Sequence, residues 1–274
     1  MGRQTATGRT PAFRRCAGMI GRSATGTARA AAVTGTAVFG AIRSLVGEWA
    51  AGTSGRQEHP PAPGVQGPAA PPVVLVHGFA ASRTSWFALR RALRADGRTV
   101  VSFDYPPWAS SVDELADRLT KTVEDLLDVT GAGTVHLIGH SLGGVIIAQA
   151  LTRCRISGRV GLAITLGSPF GGSPWAGRLP IGPLVYALRP DSPVLRGLAA
   201  APPPPGVRWL TFASTLDLIV PADRAVPANW QAVRITVDAT GHSGMLIDPD
   251  VIARIVAATA VSADAVDRGH LLAA

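Results

Sequence analysis

Three residue types that nucleophilic acyl chemistry requires occur in a meaningful order in this 274-residue chain. Ser141 lies in the run Val135-His136-Leu137-Ile138-Gly139-His140-Ser141-Leu142-Gly143-Gly144. The apolar residues before it read as a strand, and Val145 to Leu151 after it read as a buried helix. Strand, G-x-S-x-G, helix is the pattern of a nucleophile elbow, a turn so tight that the serine stands out above the sheet. A Cβ at Gly139 or Gly143 would collide with neighbouring backbone as the chain reverses. The helix start would aim its N–H groups and positive dipole end at the serine. A tetrahedral oxyanion forms at that spot when a serine attacks a carbonyl.

An attacking serine needs a base, and the base needs a carboxylate to hold its tautomer. In elbow folds the chain order is Ser, acid, His. After Ser141 come His242 and His270. His242 follows the last expected strand, where a catalytic loop would start, whereas His270 lies close to the C-terminus of the sequence, where ordering is poor. His242 is therefore the expected base. Asp217 follows an expected strand directly and ranks first as the acid, with Asp223 second and Asp238 third. His77, His136 and His140 have plainer readings, as loop brace, strand interior and elbow neighbour. Backbone N–H groups of Phe79 and Leu142 are the expected oxyanion donors, one from each loop.

These residues need a frame. Val73-Val74-Leu75-Val76 is an uninterrupted apolar run, as expected of a strand buried on both faces of a parallel sheet. Further strands are expected over Thr99 to Phe103, Thr134 to His140, Gly161 to Leu166, Val207 to Ala213 and Ala232 to Val237. Helices are expected over about Thr84 to Ala95, with Trp86, Phe87, Leu89 and Leu93 as apolar contacts, and from Ser111, as a capping box, through Leu127. A last helix is expected over Asp248 to Ala258. Strands alternating with helices give a parallel, doubly wound sheet.

The motifs Val76-His77-Gly78-Phe79, Gly139-His140-Ser141-Leu142-Gly143-Gly144, Thr165-Leu166-Gly167-Ser168-Pro169, Asp217 with Val220-Pro221, and Gly241-His242 resemble those of the bacterial lipases and esterases of the α/β-hydrolase superfamily. The resemblance covers about residues 73–260. It implies an α/β-hydrolase fold: a mostly parallel sheet, helices on both faces and a short helical cap. It also implies hydrolysis of carboxylic esters, of acylglycerol or another lipid, by Ser141, Asp217 and His242, with Phe79 and Leu142 at the oxyanion hole and no cofactor. The family often continues Gly-Ser/Thr-Pro with His and then Arg or a small residue, whereas Phe170-Gly171-Gly172 follows here. Some of these lipases hold a calcium near the catalytic histidine. Asp248 and Asp250 are close by in sequence but make no ligand spacing, so no metal is expected.

Residues 171–206 are longer than a usual connection and rich in Leu, Ile, Val and Trp. They are expected to form the cap, with Phe170, Leu184 and Leu188 as substrate-binding residues.

The net charge is +8. Residues 1–72 contribute +6 of this, from eight Arg against Glu48 and Glu58, leaving +2 for the rest. No aromatic-interleaved basic stripe is present, so nucleic acid is excluded as an expected partner. Residues 1–72 read as a basic, disordered extension with an apolar segment at 30–49 and a Pro/Gly linker. The apolar segment fits a signal-like stretch, an interfacial helix contacting membrane peripherally, or a helix packed on the catalytic domain. A secreted or membrane-associated location is favoured over a cytoplasmic one. The hydrolase domain is expected over 73–262 and a tail over 263–274. Cys16 and Cys154 suggest neither a disulfide framework nor a zinc site. An acyltransferase using the same triad, or a non-catalytic membrane-tethered binding protein that kept the fold, are the alternatives.

Overall fold

The computed structural model describes residues 70–153, 156–178 and 182–260. The extension's apolar segment, most of its linker, the tail, His270 and both cysteines lie outside the described residues. Six strands form one sheet: β1 (Val73–Val76), β2 (Val100–Phe103), β3 (Val135–His140), β4 (Val160–Leu166), β5 (Arg208–Ser214) and β6 (Ala232–Val237). Their order is β2-β1-β3-β4-β5-β6. Every pair is parallel. The expected strands are all present, with ends shifted by at most one residue.

Side-chain alternation along the strands splits the core in two. Val74, Val76, Leu137 and Ala163 point to one face, packing with residues of α2 (Val112–Thr130), α3 (Leu142–Arg153) and α5 (Pro193–Ala200). Val73, Leu75, Ile138 and Ile164 point to the other, packing with α1 (Phe87–Ala95) and α6 (Pro249–Ala260). Burial of both faces explains why β1 carries no polar residue.

Helix boundaries follow side-chain chemistry. Ser111 caps α2, its hydroxyl accepting the Glu114 N–H at 3.0 Å. The reciprocal arm of the expected capping box goes elsewhere: the Glu114 carboxylate takes the Ser110 N–H and hydroxyl. The helix runs three residues past Leu127 and stops at Gly131, left-handed at φ 65°. The expected helix at Thr84 begins instead as a 3-10 turn, Arg83–Trp86, and continues as α1. Trp86, Leu89 and Leu93 are buried as expected, but Phe87 is 64% exposed. Leu89 and Leu93, four apart, define the buried stripe of α1, and Phe87 falls off it.

Residues 171–206 carry α4 (Gly182–Tyr186) and α5. Leu184, Leu188, Leu195 and Leu198 are buried in the same cluster as β1, β3 and α3. Leu179 and Ile181 lie outside the described residues.

Candidate active site

The chain leaves β1 toward β2 on one side, then returns to place β3 on the other. Such a reversal of strand order opens a crevice at the carboxyl ends of the two central strands. The loop after β1 begins at His77 and the turn after β3 holds Ser141, so both key loops flank that crevice.

Ser141 has φ 52°, the left-handed region that a non-glycine residue enters only when its surroundings force it. Its N–H is held by the Leu166 carbonyl at 2.9 Å, and its own carbonyl accepts from Gly144 N–H at 3.1 Å. The glycine argument holds in space. A Cβ on Gly139 would lie 2.6 Å from the Gly144 nitrogen, and one on Gly143 would run into the Val76 carbonyl. Gly144 is equally constrained, by the Ser168 hydroxyl, which the sequence did not reveal. Ala80, in the loop after β1, is the other left-handed non-glycine among the described residues, at φ 54°.

That loop is braced as a unit. The His77 Nδ1–H donates to the Gly78 carbonyl at 2.8 Å, leaving Nε2 to accept the Tyr105 N–H at 3.4 Å. The Tyr105 hydroxyl donates to the His77 carbonyl at 2.7 Å, and the two rings stack 4.2 Å apart. Burial pushes the His77 imidazole below its ordinary value and the Tyr105 phenol well above its own. Both therefore act as neutral braces. Phe79 sits in this braced loop, and Leu142 is the first residue of α3.

Asp217 and His242 come together although 25 residues separate them. His242 Nδ1 donates to Asp217 Oδ2 at 2.7 Å. The other carboxylate oxygen accepts the N–H groups of Ile219 and Val220, each at 2.8 Å. Asp217 is thus fixed in orientation, and the proton on His242 Nδ1 leaves the Nε2 lone pair available as a base. Ser214, at the end of β5, hydrogen-bonds the Thr240 carbonyl and so ties the acid loop to the histidine loop. The competing carboxylates have other positions: Asp238 accepts from the Thr215 hydroxyl, and Asp223 sits on a separate 3-10 turn. Gly167, left-handed at φ 53°, leaves room for the pair. A Cβ there would lie 2.9 Å from Asp217 Oδ2 and 3.1 Å from His242 Nδ1.

The expected substrate-binding residues are placed differently from Asp217 and His242. Phe170 packs against Trp209 and Trp230, with ring centroids 6.0 and 6.3 Å away. Leu184 and Leu188 lie in the same buried cluster. Exposed apolar groups near the acid are instead Leu216 and Leu218, 54% and 69% exposed on either side of Asp217. Trp175 reaches the Leu218 carbonyl through its indole N–H at 2.7 Å. No group of three or more metal-ligating side chains occurs among the described residues.

A family model described as the alpha/beta hydrolase fold matches residues 71–178. The chain has the α/β-hydrolase fold. The lipase BlEst2 of Bacillus licheniformis in its mature form superposes on this chain with a TM-score of 0.63, over 76% of this chain and 96% of that one, at 18% identity. Two Pseudomonas putida proteins match shorter stretches. The dihydrolipoyllysine-residue acetyltransferase component of the acetoin cleaving system is 39% identical over 79 residues, 27% of this chain and 21% of that protein. A 2-hydroxy-6-oxononadienedioate/2-hydroxy-6-oxononatrienedioate hydrolase is 32% identical over 117 residues, 39% of this chain and 40% of that protein. The chain thus matches less than half the length of these two relatives.

Two buried histidines on β3 make stability depend on pH. Burial, then Arg98 and Arg208, push His136 down to about 4, and burial, then His242, pushes His140 down to about 3. The unfolded chain, with histidines near 6.5, binds protons in the window below that value which the folded chain refuses. Stability should therefore fall as pH drops from about 6.5 toward 4, by up to roughly 1.4 kcal/mol per pH unit for each histidine. Melting temperature measured across that window should show the slope, and His136→Gln should remove about one proton's share of it.

Proposed function

We propose that this chain of α/β-hydrolase fold is a serine hydrolase that cleaves carboxylic esters, with lipid esters as its substrate class. The observation that carries the proposal is the Asp217–His242 pair, at the same carboxyl-terminal end of the sheet as the left-handed Ser141 and tied to its neighbour His140 by the His242 carbonyl. In this reading Ser141 Oγ attacks the ester carbonyl while His242 Nε2 takes its proton. Asp217 holds the imidazole in place and stabilises it when it becomes cationic. The oxyanion is met by the backbone N–H groups of Phe79 and Leu142. His242 then returns its proton to the leaving alcohol. Water, activated by the same histidine, hydrolyses the acyl-enzyme.

The exposed Leu216 and Leu218 beside the acid support an apolar acyl group. Each methylene buried there would contribute about 0.8 kcal/mol, about fourfold in kcat/KM. Specificity constants from acetate through palmitate esters should rise with chain length and then level off. A flat profile would remove the lipid assignment while leaving the esterase reading intact. Labelling by a fluorophosphonate probe tests the chemistry itself, since an activated serine labels quickly and a non-catalytic relative of this fold does not. Acyl transfer to an alcohol uses the same residues, and adding a competing alcohol during turnover separates transfer from hydrolysis by the products formed.

A further inference from the structure

The variable residue of the elbow is a histidine, and it makes a contact that the triad mechanism does not use. His140 ends β3 and is buried, 5% exposed. Its Nε2 lies 3.1 Å from the main-chain carbonyl oxygen of His242, 102 residues away. A carbonyl only accepts, so Nε2 carries the proton and Nδ1 is bare. The two imidazole rings are 4.6 Å apart, centroid to centroid, and the indole of Trp86 stands edge-on to His140 at 6.5 Å. Nδ1 has no hydrogen-bond partner among the described residues. Gly78 of the loop after β1 closes that side: a Cβ there would sit 3.0 Å from Nδ1 and 3.1 Å from the Ser141 Cβ. One buried ring therefore touches the serine turn through its own backbone, the histidine loop through a hydrogen bond and the oxyanion loop through van der Waals contact.

We infer that His140 is a positioning residue, whose Nε2–H holds the main chain of His242 against the serine turn so that base and nucleophile share one reference point. The inference rests on the proposed serine-hydrolase reading. His242 hangs from the loop after β6, an edge strand, and Asp217 restrains only its side chain. Ser214 ties this loop to the acid loop, so without the His140 contact the pair can keep its hydrogen bond and still shift as one unit against the serine turn. The anchor has to be neutral, because a cation 4.6 Å from the base would oppose the imidazolium that forms during attack. Burial supplies that neutrality: it is the main cause that pushes His140 down to about 3, with His242 adding to it.

The test compares His140→Gln, whose side-chain amide can still donate to the His242 carbonyl, with His140→Leu, which cannot. Rates are measured on a short ester and normalised to serines titrated with a fluorophosphonate, so that loss of folded protein does not count. His140→Gln should stay within about threefold of wild-type kcat, whereas His140→Leu should lose about 10- to 100-fold in kcat with KM nearly unchanged, the scale of one buried hydrogen bond lost. Equal effects in both variants, silent or crippling, would overturn the inference. If His140→Leu yields no folded protein, His140→Asn takes its place, since its amide stops short of the carbonyl and should lose activity as Leu would. A second readout is independent of activity: nitrogen-15 NMR of histidine-labelled full-length protein should show His140 protonated at Nε2 and bare at Nδ1. The opposite tautomer overturns the inference as well. Failure of wild type to label or turn over any ester would instead refute the serine-hydrolase reading, and the tautomer measurement would still decide the contact.

Discussion

Ser141→Ala should fold like wild type and lose ester hydrolysis by at least about 10³-fold, the scale seen when a triad member is removed. On the proposed mechanism the hydroxyl oxygen is the atom that attacks, and a methyl in its place neither adds bulk to the turn nor breaks the Leu166 carbonyl contact, which uses the backbone. Circular dichroism and a melting curve check the fold, and steady-state hydrolysis of a short ester checks the rate. Retained turnover in a clean preparation would place the nucleophile elsewhere. The same assay ranks the acid. His242→Ala should approach the loss at Ser141. Asp217→Asn should lose less, because an amide still accepts from Ile219 and Val220 through one oxygen. Asp223→Asn, on its separate turn, should be silent. A crippled Asp223→Asn beside a normal Asp217→Asn would reverse the assignment.

Gly143→Ala should be the most damaging single-methyl change in the folded region. The added carbon would run into the Val76 carbonyl and lie 2.8 Å from the His77 carbonyl. Both belong to backbone that the sheet and the braced loop hold in place, so the strain cannot be relieved by a rotamer change. Overpacking of this kind costs about 1–3 kcal/mol or more, against a total stability of only about 5–15 kcal/mol. A drop in melting temperature of roughly 5–10 °C, or failure to accumulate folded protein, is expected. Gly197→Ala is the control. It lies inside α5 with nothing within 4 Å of the added carbon. Alanine there should be neutral or raise stability by up to about 1 kcal/mol, since glycine is the poorer helix former. Equal effects at the two sites would mean the elbow is not packed as described.

The elbow was readable in the sequence because its constraints are local. Two glycines around a serine, with an apolar strand before and an apolar helix after, leave one way for the chain to turn. The order of serine, acid and histidine then narrowed His242 and Asp217 to positions after the last two strands, and the structure brings that pair together. What stayed hidden depends on residues far apart in the chain. The hydrogen bond from His140 to His242 spans 102 positions, and Gly167 has to be small only because Asp217 and His242 meet beside it. Ala80 carries an alanine where a left-handed conformation would suggest glycine, so its type gives no warning. Leu184 and Leu188 illustrate the reverse limit. An apolar residue in a long connection can face a ligand or the core, and periodicity alone does not separate them. Here both are buried with β1, β3 and α3, so polar residues there would weaken folding whatever they do to substrate choice.

The left-handed backbone of Ser141 has a meaning for how such a chain changes over time. A side chain at φ 52° sits in a region that glycine enters at no steric cost and serine does not. Of the residues that could stand at this turn, the one the proposed chemistry demands is not the one the fold would choose. Selection for a sturdier protein alone would drift toward glycine at position 141 and leave a more stable molecule unable to attack an ester. On the proposed chemistry, a serine that persists at such a place is held there by the reaction, and its backbone angle is a record of that demand which a sturdy, inactive relative would be free to lose.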